Sequence, residues 1–227
     1  MLRLTKTEMF IRYIFIALSI VAIVDNFIHQ DMVTLASAGL TLLFLLLPPI
    51  VEKLIKITIP VSFRLIYLGF IISSMYLGEI NSFFYRIPFW DIILHTASAM
   101  MLAYLTLLFM YIINRDEDID QKLSPFFAAM FVFCVPVAMG AIWELFEFAV
   151  DKVFGVNMIK AIDPNDITRF YDYERGFFNS LHDMVMDISG AFVIALSAFI
   201  HLNSKGKYIP AFRILIKQFI KENPSLF

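Results

Sequence analysis

Apolar residues run along this chain in six long blocks with short polar interruptions. A helix needs about 20 mostly apolar residues to cross the hydrocarbon core of a bilayer. The blocks at 9–28, 33–51, 58–78, 89–113, 125–150 and 179–202 are each near that length, and predict six spanning helices. Local signals mark some of the ends. Ser124-Pro125 puts a capping hydroxyl ahead of a proline at the first helical position, which starts the fifth helix. Pro48-Pro49 predicts an end or a kink in the second, because proline removes a helix donor. Asp163-Pro164-Asn165-Asp166 predicts a turn inside a long loop, 151–178. Arg3, Lys6 and Arg12 ahead of the first block resemble the start of a leader. No small-x-small cleavage site follows near Asp25, so the block reads as a retained helix. Beyond 202, the stretch Tyr208–Lys221 alternates apolar and basic residues at helical spacing. That predicts an amphipathic helix, lying on the anionic inner leaflet or packed beneath the bundle.

The expected fold is therefore all-α: a polytopic six-helix bundle over 1–202 and an amphipathic cytoplasmic tail over 203–227. Composition agrees. Hydrophobic residues make up 60% of the 227 and charged residues only 17%, against about 45–50% and about 25% in soluble domains. Such a chain has the lipid bilayer as its main partner. A net charge of −2 gives no basic field for nucleic acid. The single cysteine, Cys134, excludes an intramolecular disulfide and a thiolate metal cage, and reads as inert packing. Lys and Arg divide thirteen to five between the two sides of the predicted bundle. Positive residues concentrate inside, so both termini are expected in the cytoplasm and the 151–178 loop outside.

The polar residues inside the spans carry the chemistry. Ionisable groups are costly in a membrane and mark function by default. Asp91 and His95 are four apart, as are Asp183 and Asp187, and Glu144, Glu147 and Asp151 follow at three and seven. Each set lies on one face of its helix. His95, Glu144 and Asp187 fall about six to eight residues, or roughly 9–12 Å, inside the outer ends of their spans. Asp25 and His29 share this spacing and are candidates for the rim. Six carboxylates, at Asp91, Glu144, Glu147, Asp151, Asp183 and Asp187, have no Lys or Arg at their depth in any span. Some must be protonated, paired or bound to a cation. The candidate partners are Arg86, Lys152, Arg169 or Arg175 folding in from outer loops, a metal ion, or protons. Histidine and carboxylates on facing helices can build a metal site within a bundle. The donors suit Zn²⁺, Mn²⁺, Fe²⁺ or Mg²⁺. In the metal reading His95, Glu144 and Asp187 are inner ligands, and Asp91 or Asp183 an additional or outer one. Glu147 or Asp183 acts as general base, and Arg169 and Arg175 hold an anionic head group. The function is then hydrolysis or modification of a lipid or lipid-linked substrate from the outer leaflet. A proton- or cation-coupled transporter and a scaffold with a structural polar cluster stay open. Gly140 and Gly190 read as places of close helix approach.

Three blocks also resemble a known family: Trp90-Asp91-x3-His95, Trp143-Glu144-x2-Glu147 and Asp183-x3-Asp187-x2-Gly190-Ala191. They look like the YjdF-type inner-membrane proteins of bacteria and, more distantly, the VanZ-like family. The likeness covers 89–192, the last three spans. The approach to the last block departs from the usual Gly-Asp-x-x-Asp-Thr pattern, since here Glu174-Arg175-Gly176 leads to His182-Asp183. The resemblance implies a bacterial plasma-membrane protein with a shared polar site, and names no reaction.

Overall fold

The structure, a computed structural model, describes residues 5–114, 124–163, 165–166, 168, 170–205, 207–208 and 210–224. It is all-α, with no strand among the described residues. Six helical segments are long and apolar enough to cross a membrane. The helices are α1 (Lys6–His29), α2 (Met32–Ile55), α3 (Val61–Ile71), α4 (Phe83–Arg86), α5 (Trp90–Asn114), α6 (Pro125–Phe154), α7 (Tyr173–Asn203) and α8 (Pro210–Glu222). A π-helical stretch, Ile72–Ile80, continues α3 and completes the third span.

Two boundaries differ from the sequence expectation. The long loop is 155–172, shorter than 151–178 at both ends. Gly155 stops α6 in the left-handed conformation (φ 66°), with its N–H on the Asp151 carbonyl. Asp172 starts α7 early, because its carboxylate accepts the N–H groups of Glu174 and Arg175. The second difference is in α2, which runs through Pro48-Pro49 to Ile55. Two prolines in succession leave the carbonyls of Phe44 and Leu45 without their helical donors. Both carbonyls are recaptured by side chains. The Tyr67 hydroxyl donates to Phe44 O at 3.1 Å, and Arg12 Nη1 donates to Leu45 O at 2.8 Å. In lipid a helix carries proline where its freed carbonyls are satisfied again, and here side chains do it.

The chain divides into two compact units, Met1–Trp90 with Leu215–Leu226, and Asp91–Ile214. The first unit holds a buried ionic network that the sequence pattern does not announce. Glu8, Arg12, Glu52 and Arg64 are all at most 4% exposed. Arg12 donates to Glu8 at 2.9 Å, and Arg64 reaches Glu8 at 3.2 Å and Glu52 at 3.0 Å. Two guanidiniums and two carboxylates leave the cluster neutral, which is what burial demands. The end of α8 belongs to this unit. Ile216 and Phe219 are buried, and Asn223 forms a reciprocal amide pair with the backbone of Thr58 (2.5 and 2.9 Å).

In the second unit α6 and α7 pack along one another. Gly140 of α6 faces Asp187 of α7. A Cβ there would strike the Asp187 carboxyl group of α7. Gly190 of α7 in turn lies against the backbone carbonyl of Thr96 and the methyl of Ala99 on α5. Small residues thus let three helices approach at the level of the polar residues, as expected of both glycines.

Candidate functional site

The cluster is built from α5, α6, α7 and the 155–172 loop, all in the second unit. His95 is its centre, with its side chain 12% exposed. One face of the ring looks at α7: Nδ1 is 3.4 Å from Asp187 Oδ1. The other nitrogen, Nε2, is 3.7 Å from Asp91 Oδ1 and 3.9 Å from Asp183 Oδ2. Asp91, His95 and Asp183 offer one ligand atom each, all within 4.8 Å of one another. The helical spacing explains this. Asp91 is one turn before His95 on α5, and Asp183 one turn before Asp187 on α7, so the two i, i+4 pairs face each other across the Gly190 contact.

Glu144 lies outside that trio. It is 6% exposed, and neither carboxylate oxygen accepts a well-formed hydrogen bond among the described residues, although Ser180 faces it from α7. Glu147, 7% exposed, accepts the Trp143 indole N–H at 2.8 Å. Asp183 accepts the Asn179 amide at 2.5 Å, and His182 Nδ1 is 3.8 Å from its other oxygen. Asp151 has a different role from the other acids. Its two oxygens accept the N–H groups of Met158 (2.6 Å) and Ile159 (3.1 Å), so it anchors the loop.

The loop supplies a basic partner that is not Arg86, Lys152 or Arg175. Lys160 Nζ is 2.9 Å from Asp91 Oδ2. Burial on its own would lower the affinity of this ammonium for its proton. The carboxylates of Asp91, Glu147 and Asp183 outweigh that and hold its pKa above the ordinary lysine value. Arg175 is exposed and faces the loop: Nε donates to the Lys160 carbonyl at 3.1 Å and Nη1 to Asp163 at 2.6 Å. The Asn165 N–H, and after it Arg175, hold the Asp163 carboxyl below the usual carboxylate range. Lys152 turns to Tyr171 and Tyr173, whose ring centroids are 4.1 and 4.3 Å from its ammonium. Arg86 is exposed in the first unit. Arg169 lies outside the described residues. Asp25 and His29 form an exposed pair with each other, also in the first unit.

Lys160 was missed because nothing local singles it out. Its apolar neighbours, Ile159 and Ala161, stand in a loop whose sequence has no periodicity to say which side chains turn inward. Both neighbours are buried, at 4% and 0% exposure.

Six membrane-length helices and a buried acid–histidine cluster define a polytopic membrane protein. The chain belongs to the family described as "Predicted membrane protein (DUF2238)", whose model matches residues 8–204. An uncharacterised protein of Thermotoga maritima is 24% identical over 148 residues, covering 65% of this chain and 67% of that protein. No solved structure matches. The YjdF-type likeness is in keeping with this family. The VanZ-like one gains no support from these matches.

Proposed function

We propose that the second unit holds a divalent cation at Asp91, His95 and Asp183, and that the ion serves chemistry on a lipid or lipid-linked substrate at the outer side of a bacterial plasma membrane. One observation carries the reading: the spacing around His95 Nε2. Two ligands of one ion, each about 2.1 Å from it, stand roughly 3–3.5 Å apart. The separations of 3.7 and 3.9 Å are too long for hydrogen bonds and need only a small contraction to enclose an ion. Asp187 on Nδ1 then orients the imidazole, as carboxylates do behind metal-bound histidines. Donors of this kind suit Zn²⁺, Mn²⁺, Fe²⁺ or Mg²⁺. Glu144 adds weight, since two buried oxygens without a well-formed hydrogen bond suit an ion or an ion-bound water. Glu144 and Asp187 were expected as inner ligands. In this arrangement Asp183 takes an inner place and Glu144 stands ready as general base, with Glu147 held by Trp143. Such an ion would supply Lewis-acid activation of water or of a phosphoryl or carbonyl oxygen.

A second reading has its own observation. The Lys160–Asp91 pair closes the cluster with a protein cation, which suits a purely structural polar core. Elemental analysis of purified protein separates the two. Under the metal reading the wild type carries a stoichiometric divalent ion, and His95→Ala and Asp183→Asn lose it while still assembling. Wild-type protein that is metal-free and indifferent to chelator and added ions would leave the structural reading in place.

A further inference from the structure

Asp91 faces two ways. Its Oδ1 points to the His95 Nε2 position and its Oδ2 to the Lys160 ammonium. A carboxylate that uses one oxygen toward each of two cation positions is the bridging element of two-metal sites, whose ions stand about 3.5–4 Å apart. Here the cation in the second position belongs to the protein: it is the Lys160 ammonium, 2.9 Å from Asp91 Oδ2. Resting on the metal reading above, we infer that Lys160 is a tethered occupant of a second cation position, and that it restricts this acidic cavity to one divalent ion.

The loop is built for that purpose. Lys160 itself takes the left-handed conformation (φ 53°), uncommon for a residue with a side chain, and its surroundings hold it there. They do so from both sides. Asp151 grips the two preceding N–H groups. Asn157 brackets Ile162, accepting its N–H at 2.8 Å and donating to its carbonyl at 2.9 Å. Arg175 holds the Lys160 carbonyl, and Ala161 O accepts the Asp172 N–H at 3.0 Å. Ile159 and Ala161 press against Gly176, where a Cβ would meet Ile159 Cδ1 at 2.9 Å and Ala161 Cβ at 3.1 Å. So many fixed contacts around one residue make the ammonium a permanent part of the cavity. The charge count fits. Asp91, Glu144, Glu147, Asp183 and Asp187 are more carboxylates than one ion uses, and a lysine offsets part of the excess without a second metal.

The test is Mn²⁺ binding to the purified full-length chain in nanodiscs, followed by equilibrium dialysis and electron paramagnetic resonance. Wild type should bind one Mn²⁺ per chain and give the spectrum of an isolated ion. Lys160→Gln should bind a second Mn²⁺ at least 10-fold more tightly than wild type does and show spin coupling between the two ions. Lys160→Arg should keep one. If Lys160→Gln does not assemble, Arg175→Gln loosens the loop from outside and should admit the second ion in part. One ion in every variant with unchanged affinity overturns the tethered occupant and leaves the metal reading intact. Two coupled ions in the wild type do the same. No Mn²⁺ in wild type or variants removes both readings together.

Discussion

Gly140 and Gly190 both permit close approach, yet their obstacles differ in kind. A methyl on Gly190 would meet the Thr96 carbonyl, which is backbone and cannot turn aside. A methyl on Gly140 would meet the Asp187 carboxyl group, which can rotate away. Gly190→Ala should therefore cost at least the upper end of the 1–3 kcal/mol typical of overpacking, with a matching fall in thermal midpoint. Gly140→Ala should cost less stability and yet weaken metal binding by about 10-fold, because a displaced Asp187 no longer orients His95. Equal stability losses, or Gly140→Ala with full metal affinity, would contradict this assignment. At this scale much of the site was legible. The spacing of Asp91, His95, Asp183 and Asp187 put them on shared faces, and helix geometry converts such spacing directly into neighbours. Lys160 was not legible. Its place depends on Asp151, Asn157 and Arg175 acting together on a loop, and loop geometry has no periodicity to read.

Among the elements, α2 shows how a membrane helix tolerates two interior prolines. Each freed carbonyl has one named side-chain donor, so the coupling can be measured. Tyr67→Phe should cost about 1 kcal/mol, since Phe44 O loses the hydroxyl that replaces the donor Pro48 removed. In a Pro48→Ala background the backbone N–H returns, and the same Tyr67→Phe change should cost close to nothing. Additive effects in this double-mutant cycle would show that the hydroxyl does not serve that carbonyl. The six spanning elements themselves were visible in hydropathy alone, because lipid leaves helix as the one solution for long apolar runs. The ends were less visible. Caps such as Asp172 and Gly155 sit among polar residues that look alike in sequence, and only their backbone geometry tells which one starts or stops a helix.

For the whole molecule, the division of Lys and Arg gives an orientation that labelling can check. In a Cys134→Ser background, Asn165→Cys should react with an impermeant reagent from outside intact cells and Asn203→Cys should not. The opposite pattern would place the acid–histidine cluster on the cytoplasmic side and end the outer-leaflet part of the proposal. The buried Glu8–Arg12–Arg64–Glu52 network belongs to this scale too. Glu8 and Arg12 stand one turn apart on α1, but a single sequence does not show that Arg64 of α3 meets Glu8 of α1 and Glu52 of α2.

The pairing of Asn223 with Thr58 also has a consequence in time. These residues are 165 apart along the chain. At about 5–20 residues per second, a ribosome needs roughly 8–33 s to travel that distance. Throughout that interval the early helices stand in the membrane with the Thr58 backbone amide and carbonyl still awaiting their partner. The first unit is thus opened by α1 and closed by the end of α8, long after its other helices have been made. A chain cut short by even a dozen residues would keep all six spans and still present an unsealed loop to the proteases that survey newly made membrane proteins.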